Sequence, residues 1–226
     1  MTTLYCGGNQ LTVLDVSKNT ALTELFCGNN KLTAIDVSKN TSLTAFWCYE
    51  NQLTTLEVSK NTALKDLRCY SNQLTALDVS KNTALKYLYC NSNQLTALDV
   101  SKNTALAYIA FIRNKIKKAE MEKLISGLPQ NGTGSTYRFL VINNSNNDEG
   151  NVCTKDQVAK VKAKGWTPEY YNGTSWLEYE GSDESDNIQS LTTANDTQTI
   201  FSISGQRLKT PRKGINIIGG KTVVIK

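Results

Sequence analysis

Apolar and polar positions along the first half of the chain recur every 21 residues. Leucine or isoleucine stands at Leu11, Leu32, Leu53, Leu74, Leu95 and Ile116. Asparagine stands at Asn9, Asn30, Asn51, Asn72, Asn93 and Asn114, and cysteine at Cys6, Cys27, Cys48, Cys69 and Cys90. The string Val-Ser-Lys-Asn-Thr returns at Val16, Val37, Val58, Val79 and Val100. Five full units and a sixth variant one occupy residues 1–118, and a fixed period of this length marks a solenoid. One turn of chain per unit stacks residues 21 apart at about 4.8 Å along parallel strands, so the leucines and the cysteine form inward columns. A weaker half-repeat, Leu22 to Lys31 and then Leu32 to Ser42, predicts a strand on one side of each coil. The other side is expected to be strand-like or a tight turn. Two asparagines per coil predict ladders whose amides satisfy backbone groups at the corners.

Written once, the unit is L-T-x-L-x-C-x-x-N-x-L-T-x-L-D-V-S-K-N-T-A. This resembles the leucine-rich repeat pattern L-x-x-L-x-L-x-x-N/C-x-L over its first eleven positions. Cysteine at the sixth position makes it similar to the 21-residue bacterial repeats of the internalin-like group. The resemblance implies an α/β fold: a right-handed leucine-rich repeat solenoid with a parallel β-sheet, α/β C-terminal cap coils and a short all-β tail. It also implies a secreted or cell-surface protein engaged in adhesion or host interaction.

Composition narrows the chemistry. The chain has no histidine, which removes the commonest general base and the commonest metal ligand. A straight column of cysteines cannot converge on a tetrahedral metal, and in-register neighbours are awkwardly placed for disulfides. Buried reduced thiols are therefore expected, with Cys153 packed outside the ladder. No metal and no cofactor is expected. The formal charge of +5 resides wholly in the tail: residues 197–226 hold six basic and no acidic side chains, leaving −1 on residues 1–196. A run of 18 apolar residues is absent, so no membrane span is expected.

Function is sought at the positions that stacking leaves free. Strand alternation turns positions three, five and seven of each coil toward the concave face. These columns carry Tyr5, Phe26, Trp47, Tyr49, Tyr70, Tyr87, Tyr89 and Tyr108, and Glu24, Glu50, Asp66 and Arg68 are interspersed with them. Clustered exposed aromatics read as a recognition surface for a protein or glycan. The alternative is that the rings simply favour strands and stack on one another. Glu24 and Asp66 lie two coils apart, roughly 10 Å by strand spacing, a weak basis for glycoside chemistry. Arg68 is the only base in these columns, which disfavours nucleic acid. Asp15, Asp36, Glu57, Asp78 and Asp99 read as a solvated outer face. The expected function is non-catalytic binding, with a structural spacer in a larger surface protein as the alternative.

Beyond the repeats, residues 119–177 read as capping coils. Lys118 onward has helical spacing with Met121, Leu124 and Ile125 inward, and Tyr137 to Asn143 reads as a buried strand. A second helix is capped by Thr154 and ended by Gly165, and a short strand follows from Trp166. This stretch resembles the tail coils of leucine-rich repeat surface proteins of Bacteroidetes. Residues 178–196, with six acidic and no basic side chains, read as a linker. Residues 197–226 alternate like three short strands. They resemble the end of the C-terminal sorting domain that Bacteroidetes secretion systems read, which implies the secretion machinery as a partner. Met1 stands where later coils carry leucine, so a leader and further coils are expected upstream.

Overall fold

In the computed structural model each 21-residue unit contributes one three-residue strand, and the six strands pair in strict register. They are β1 (Thr3–Tyr5), β2 (Glu24–Phe26), β3 (Ala45–Trp47), β4 (Asp66–Arg68), β5 (Tyr87–Tyr89) and β6 (Tyr108–Ala110). Thr3 faces Glu24, Glu24 faces Ala45, and the 21-residue offset holds to Tyr108. The structure describes residues 1–131, 137–143 and 149–182, together with the backbone of the tail strands at 200–202, 207–208, 214–218 and 221–225. The chain divides into two units, Met1–Ser182 and Asp183–Lys226.

Inside the first unit the repeated apolar positions are fully buried: Leu22, Leu43, Leu64, Leu85 and Leu106 form one column, Leu25, Phe46, Leu67 and Leu88 another. Each such side chain stabilises the coil by about 1.5–3 kcal/mol relative to exposure. Cys27, Cys48, Cys69 and Cys90 join this core as free thiols, and Cys6 in the first coil is half-buried. Burial pushes the Cys27 and Cys69 thiols up to about 12, so they stay protonated and behave as small hydrophobes.

The far side of each coil is turn rather than strand. Asn19 donates its N–H to the Val16 carbonyl at 2.9 Å, Leu22 donates to Asn19 at 3.0 Å, and the pair of turns recurs in every coil through Asn103 and Leu106. On this side Asp15, Asp36, Glu57, Asp78 and Asp99 are solvent-facing. Each accepts the backbone N–H two residues on, as Asp36 does from Ser38 at 2.8 Å. They are turn formers as well as surface charges.

Both asparagine ladders form, and they are not equivalent. Asn72 Nδ2 donates to the carbonyls of Cys48 and Cys69, while its Oδ1 accepts the Leu53 N–H at 3.0 Å. Asn61 Nδ2 donates to Val37 and Asn40, but its Oδ1 is buried with no partner, as in Asn40, Asn82 and Asn103. Between strand and ladder every coil turns through the left-handed region, at Gly8, Asn29, Glu50, Ser71, Ser92 and Arg113, with φ from 50° to 69°. Only the first of these is the glycine that such a backbone favours.

The sheet then continues through longer coils. Helix α1 (Lys118–Gly127) buries Met121, Leu124 and Ile125 and leads to β7 (Arg138–Asn143), which pairs with β6. Helix α2 (Lys155–Ala163) starts at Thr154 with a reciprocal capping box to Gln157 and stops before Gly165, at φ 79°. Strand β8 (Thr167–Tyr171) extends the parallel sheet. A hairpin absent from the sequence reading adds β9 (Trp176–Glu178) antiparallel to it as the sheet's edge. Residues 178–182 thus belong to the folded unit although their acidity assigns them to a linker. The Tyr179 hydroxyl and the Ser182 N–H both donate to the Cys153 carbonyl. Residues 183–196 of that linker lie outside the described residues.

Among its described residues the second unit has four strands where three are expected: β10 (Ile200–Ser202), β11 (Arg207–Leu208), β12 (Gly214–Ile218) and β13 (Lys221–Ile225). They form an antiparallel sheet in the order β11-β10-β12-β13. The single run expected from Thr199 to Leu208 divides into two paired strands, β10 and β11.

Candidate functional site on the concave face

The outward columns bring the aromatic residues into one continuous stack and one separate pair. In the column of position five, Tyr5 lies on Phe26 with ring centroids 4.6 Å apart, and Phe26 meets Trp47 edge-on at 4.4 Å. Arg68 is sandwiched next, its guanidinium 3.8 Å from the Trp47 ring centroid and 4.8 Å from that of Tyr89. Tyr89 then stacks at 4.6 Å on Tyr108, which stands at position three of the next coil, and Arg138 of β7 approaches Tyr108 at 5.8 Å. Arg138 is in turn ion-paired with Glu169 of β8. In the column of position seven, Tyr49 and Tyr70 lie face to face at 4.6 Å with planes only 5° apart. Tyr49 leans over Gly28, where a Cβ would sit 2.6 Å from the ring, so the glycine makes room for that tilt.

These contacts revise the expectation of freely exposed rings. Only Tyr5, at 74%, and Tyr87, at 44%, are exposed, and Tyr87 enters neither stack; Phe26, Trp47, Tyr49, Tyr70, Tyr89 and Tyr108 are half-buried against their neighbours. Stacking turns ring faces toward the neighbouring rings along the sheet. Burial raises the phenols of Tyr70 and Tyr89 and pushes Tyr108 up to about 12, so all three are hydrogen-bond donors at neutral pH. The Trp47 indole N–H is buried and unpartnered.

The acidic positions behave differently from one another. Asp66 holds Arg68 through Nε at 3.1 Å and Nη2 at 3.0 Å, a fork that fixes the guanidinium between its two rings. Glu24 accepts the Thr3 hydroxyl at 3.1 Å and has no ion pair among the described residues. The two carboxylates therefore do not act as a pair. Among the described residues no three His, Cys, Asp or Glu side chains are grouped to hold a metal ion, and no helix is long and apolar enough to cross a membrane.

Three features escaped the sequence reading. Arg138 and Glu169 prolong the stack, but they follow loops of unequal length where the 21-residue period no longer gives the register. Ala110 and Ile112, assigned to outward columns, are 4% and 7% exposed and pack with Leu140 of β7. Tyr89 and Tyr108 pack against this small apolar cluster. Glu149 receives the N–H groups of Arg113, Asn143 and Asn151 on one carboxylate, tying the sixth coil to the cap.

A family profile described as the LVIVD repeat matches residues 4–27, little more than one coil, and reports repetition. No curated protein matches the chain. Among solved structures, the functional domain of InlJ from Listeria monocytogenes, which includes a cysteine ladder, is 32% identical with a TM-score of 0.57 over 76% of this chain. A leucine-rich repeat protein of Leptospira interrogans is 21% identical (TM-score 0.60, 74% of this chain). Internalin InlF of L. monocytogenes is 22% identical (TM-score 0.51, 72% of this chain). The chain spans 35%, 42% and 48% of those three proteins. Its first unit is a leucine-rich repeat solenoid of the kind found in internalins, carrying a cysteine ladder and an aromatic concave face.

Proposed function

We propose that the protein is a non-catalytic, secreted or cell-surface bacterial binding protein that recognises a protein ligand on the concave face. The single observation that carries this reading is the stack from Tyr5 to Tyr108, an aromatic and arginine surface preorganised before any partner arrives. Rings already stacked lose little entropy on binding, and Tyr, Trp and Arg dominate interface energetics. The likeness to internalins supports the same assignment by fold analogy alone.

Stacking favours protein over glycan. Sugars pack on open ring faces, and here the faces of Phe26, Tyr49, Tyr70 and Tyr89 are turned to one another. What remains is a groove of ring edges and O–H donors suited to peptide carbonyls and apolar side chains. Residues 197–226 are proposed to engage secretion machinery, on their resemblance to a Bacteroidetes sorting domain. Parallel protein and glycan arrays probed with the full chain test the ligand class. We expect saturable signals on proteins; saturable binding confined to glycans refutes the assignment.

A further inference from the structure

Two arginines on the strands of the concave face, Arg68 of β4 and Arg138 of β7, are satisfied by one formula. Arg68 has the Asp66 carboxylate on one side and the Trp47 and Tyr89 rings on the others. Arg138 has Glu169 on one side and Tyr108 on another. A carboxylate neutralises the charge while an aromatic face or edge receives the weakly hydrated cation.

Two more carboxylates stand beside aromatic residues on this face and hold no cation among the described residues. Glu24 opens β2 two residues before Phe26, the same spacing as Asp66 to Arg68, and among the described residues receives only the Thr3 hydroxyl. Its column passes through Ala45 to Asp66, so the third coil leaves a gap floored by a methyl group. Glu24 and Asp66 border that gap on either side, and Trp47 borders it along the strand. Glu50 follows Tyr49 in the left-handed turn, is exposed, and lies close enough to Tyr70 to help raise its phenol. Both of these carboxylates lie in coils two and three, whereas the exposed Lys65 and Lys86 precede β4 and β5.

We propose that coils two and three recognise a basic peptide segment, one lysine or arginine entering the gap over Ala45 against Glu24 and a second pairing with Glu50 beside Tyr49 and Tyr70. This rests on the protein-binding reading above and names the chemistry of its partner. Positions three and eight of one coil are five residues apart, at most about 16 Å of extended chain. The two basic residues of an extended partner are therefore about four or five positions apart. Arg68 does not repel them, because Asp66 already neutralises it.

Random peptides displayed on phage, selected against the full chain at about 150 mM salt, test the proposal. Selected peptides should carry lysine and arginine at least threefold above the unselected library, paired four or five positions apart. They should bind the Glu24→Gln/Glu50→Gln variant at least tenfold more weakly, while its melting curve matches the wild type. Selected peptides without basic enrichment, or binding the variant equally well, overturn the basic-segment site and leave the protein-binding reading standing. Failure to select any peptide above background overturns both.

Discussion

Replacing Asn72 with alanine and, separately, Asn61 with alanine separates the two asparagine ladders by energy. Both side chains are buried, both sit in central coils, and both substitutions remove the same atoms. They differ in what is left behind. Without Asn72 the Leu53 N–H loses its acceptor inside the coil, whereas the Cys48 and Cys69 carbonyls keep donors in Asn51 and Asn93. One orphaned buried donor costs about 1–3 kcal/mol, and two weakened carbonyls bring the loss to about 2–4 kcal/mol. Without Asn61 no donor is orphaned. Val37 still accepts from the Asn40 N–H, Asn40 still accepts from Leu43, and an unpartnered Oδ1 disappears. The expected cost is about 0–1 kcal/mol, because removing a buried unpaired oxygen offsets the lost bonds. Urea unfolding followed by circular dichroism, with equal slopes in the three proteins, measures the difference. A loss for Asn61→Ala equal to or larger than that for Asn72→Ala would refute the reasoning.

Three further outcomes follow from the same structure. A thiol reagent should modify Cys6 first in the native protein and reach all six cysteines only in denaturant, since the other five are buried; rapid native labelling of a second cysteine contradicts this. Gly150→Ala should cost about 1–3 kcal/mol, because the added Cβ would stand 2.2 Å from the Asn114 carbonyl oxygen; an unchanged melting temperature contradicts it. The N–H and hydroxyl of Ser80 and Ser101 hold the Asp78 and Asp99 carboxyls below the usual range, so their contribution is complete above about pH 4 and is lost as pH falls further. Asp78→Asn/Asp99→Asn should therefore lose less stability than wild type between pH 5 and pH 2 in urea titrations, and an identical loss contradicts the assignment.

How much of this was legible in the sequence depends on how far the 21-residue period reaches. Stacking makes every coil repeat the same backbone, so one unit fixed the register of β1 to β6, the cysteine column and both ladders. Thr154 and Gly165 were legible because capping and left-handed termination are local chemistry. Position eight was not, since Asn29, Glu50, Ser71, Ser92 and Arg113 carry no shared signal and adopt their left-handed turn because the neighbouring coil imposes it. Nor could spacing reveal that the rings turn their faces to each other, which depends on rotamers and on the room above Gly28. Arg138 and Glu169 join the stack across loops whose lengths break the period, and β9 depends on the turn at Asn172–Ser175, where Asn172 Oδ1 accepts the N–H groups of Thr174 and Ser175.

The central claim is that the stacked concave face is the binding surface. It is tested most directly by the affinity of an array-identified protein ligand for the wild type and for Trp47→Ala/Tyr70→Ala. Two hot-spot truncations of about 2 kcal/mol each predict a loss of 100-fold or more, with the circular dichroism melting curve keeping its shape. Unchanged affinity in a folded variant would contradict the account.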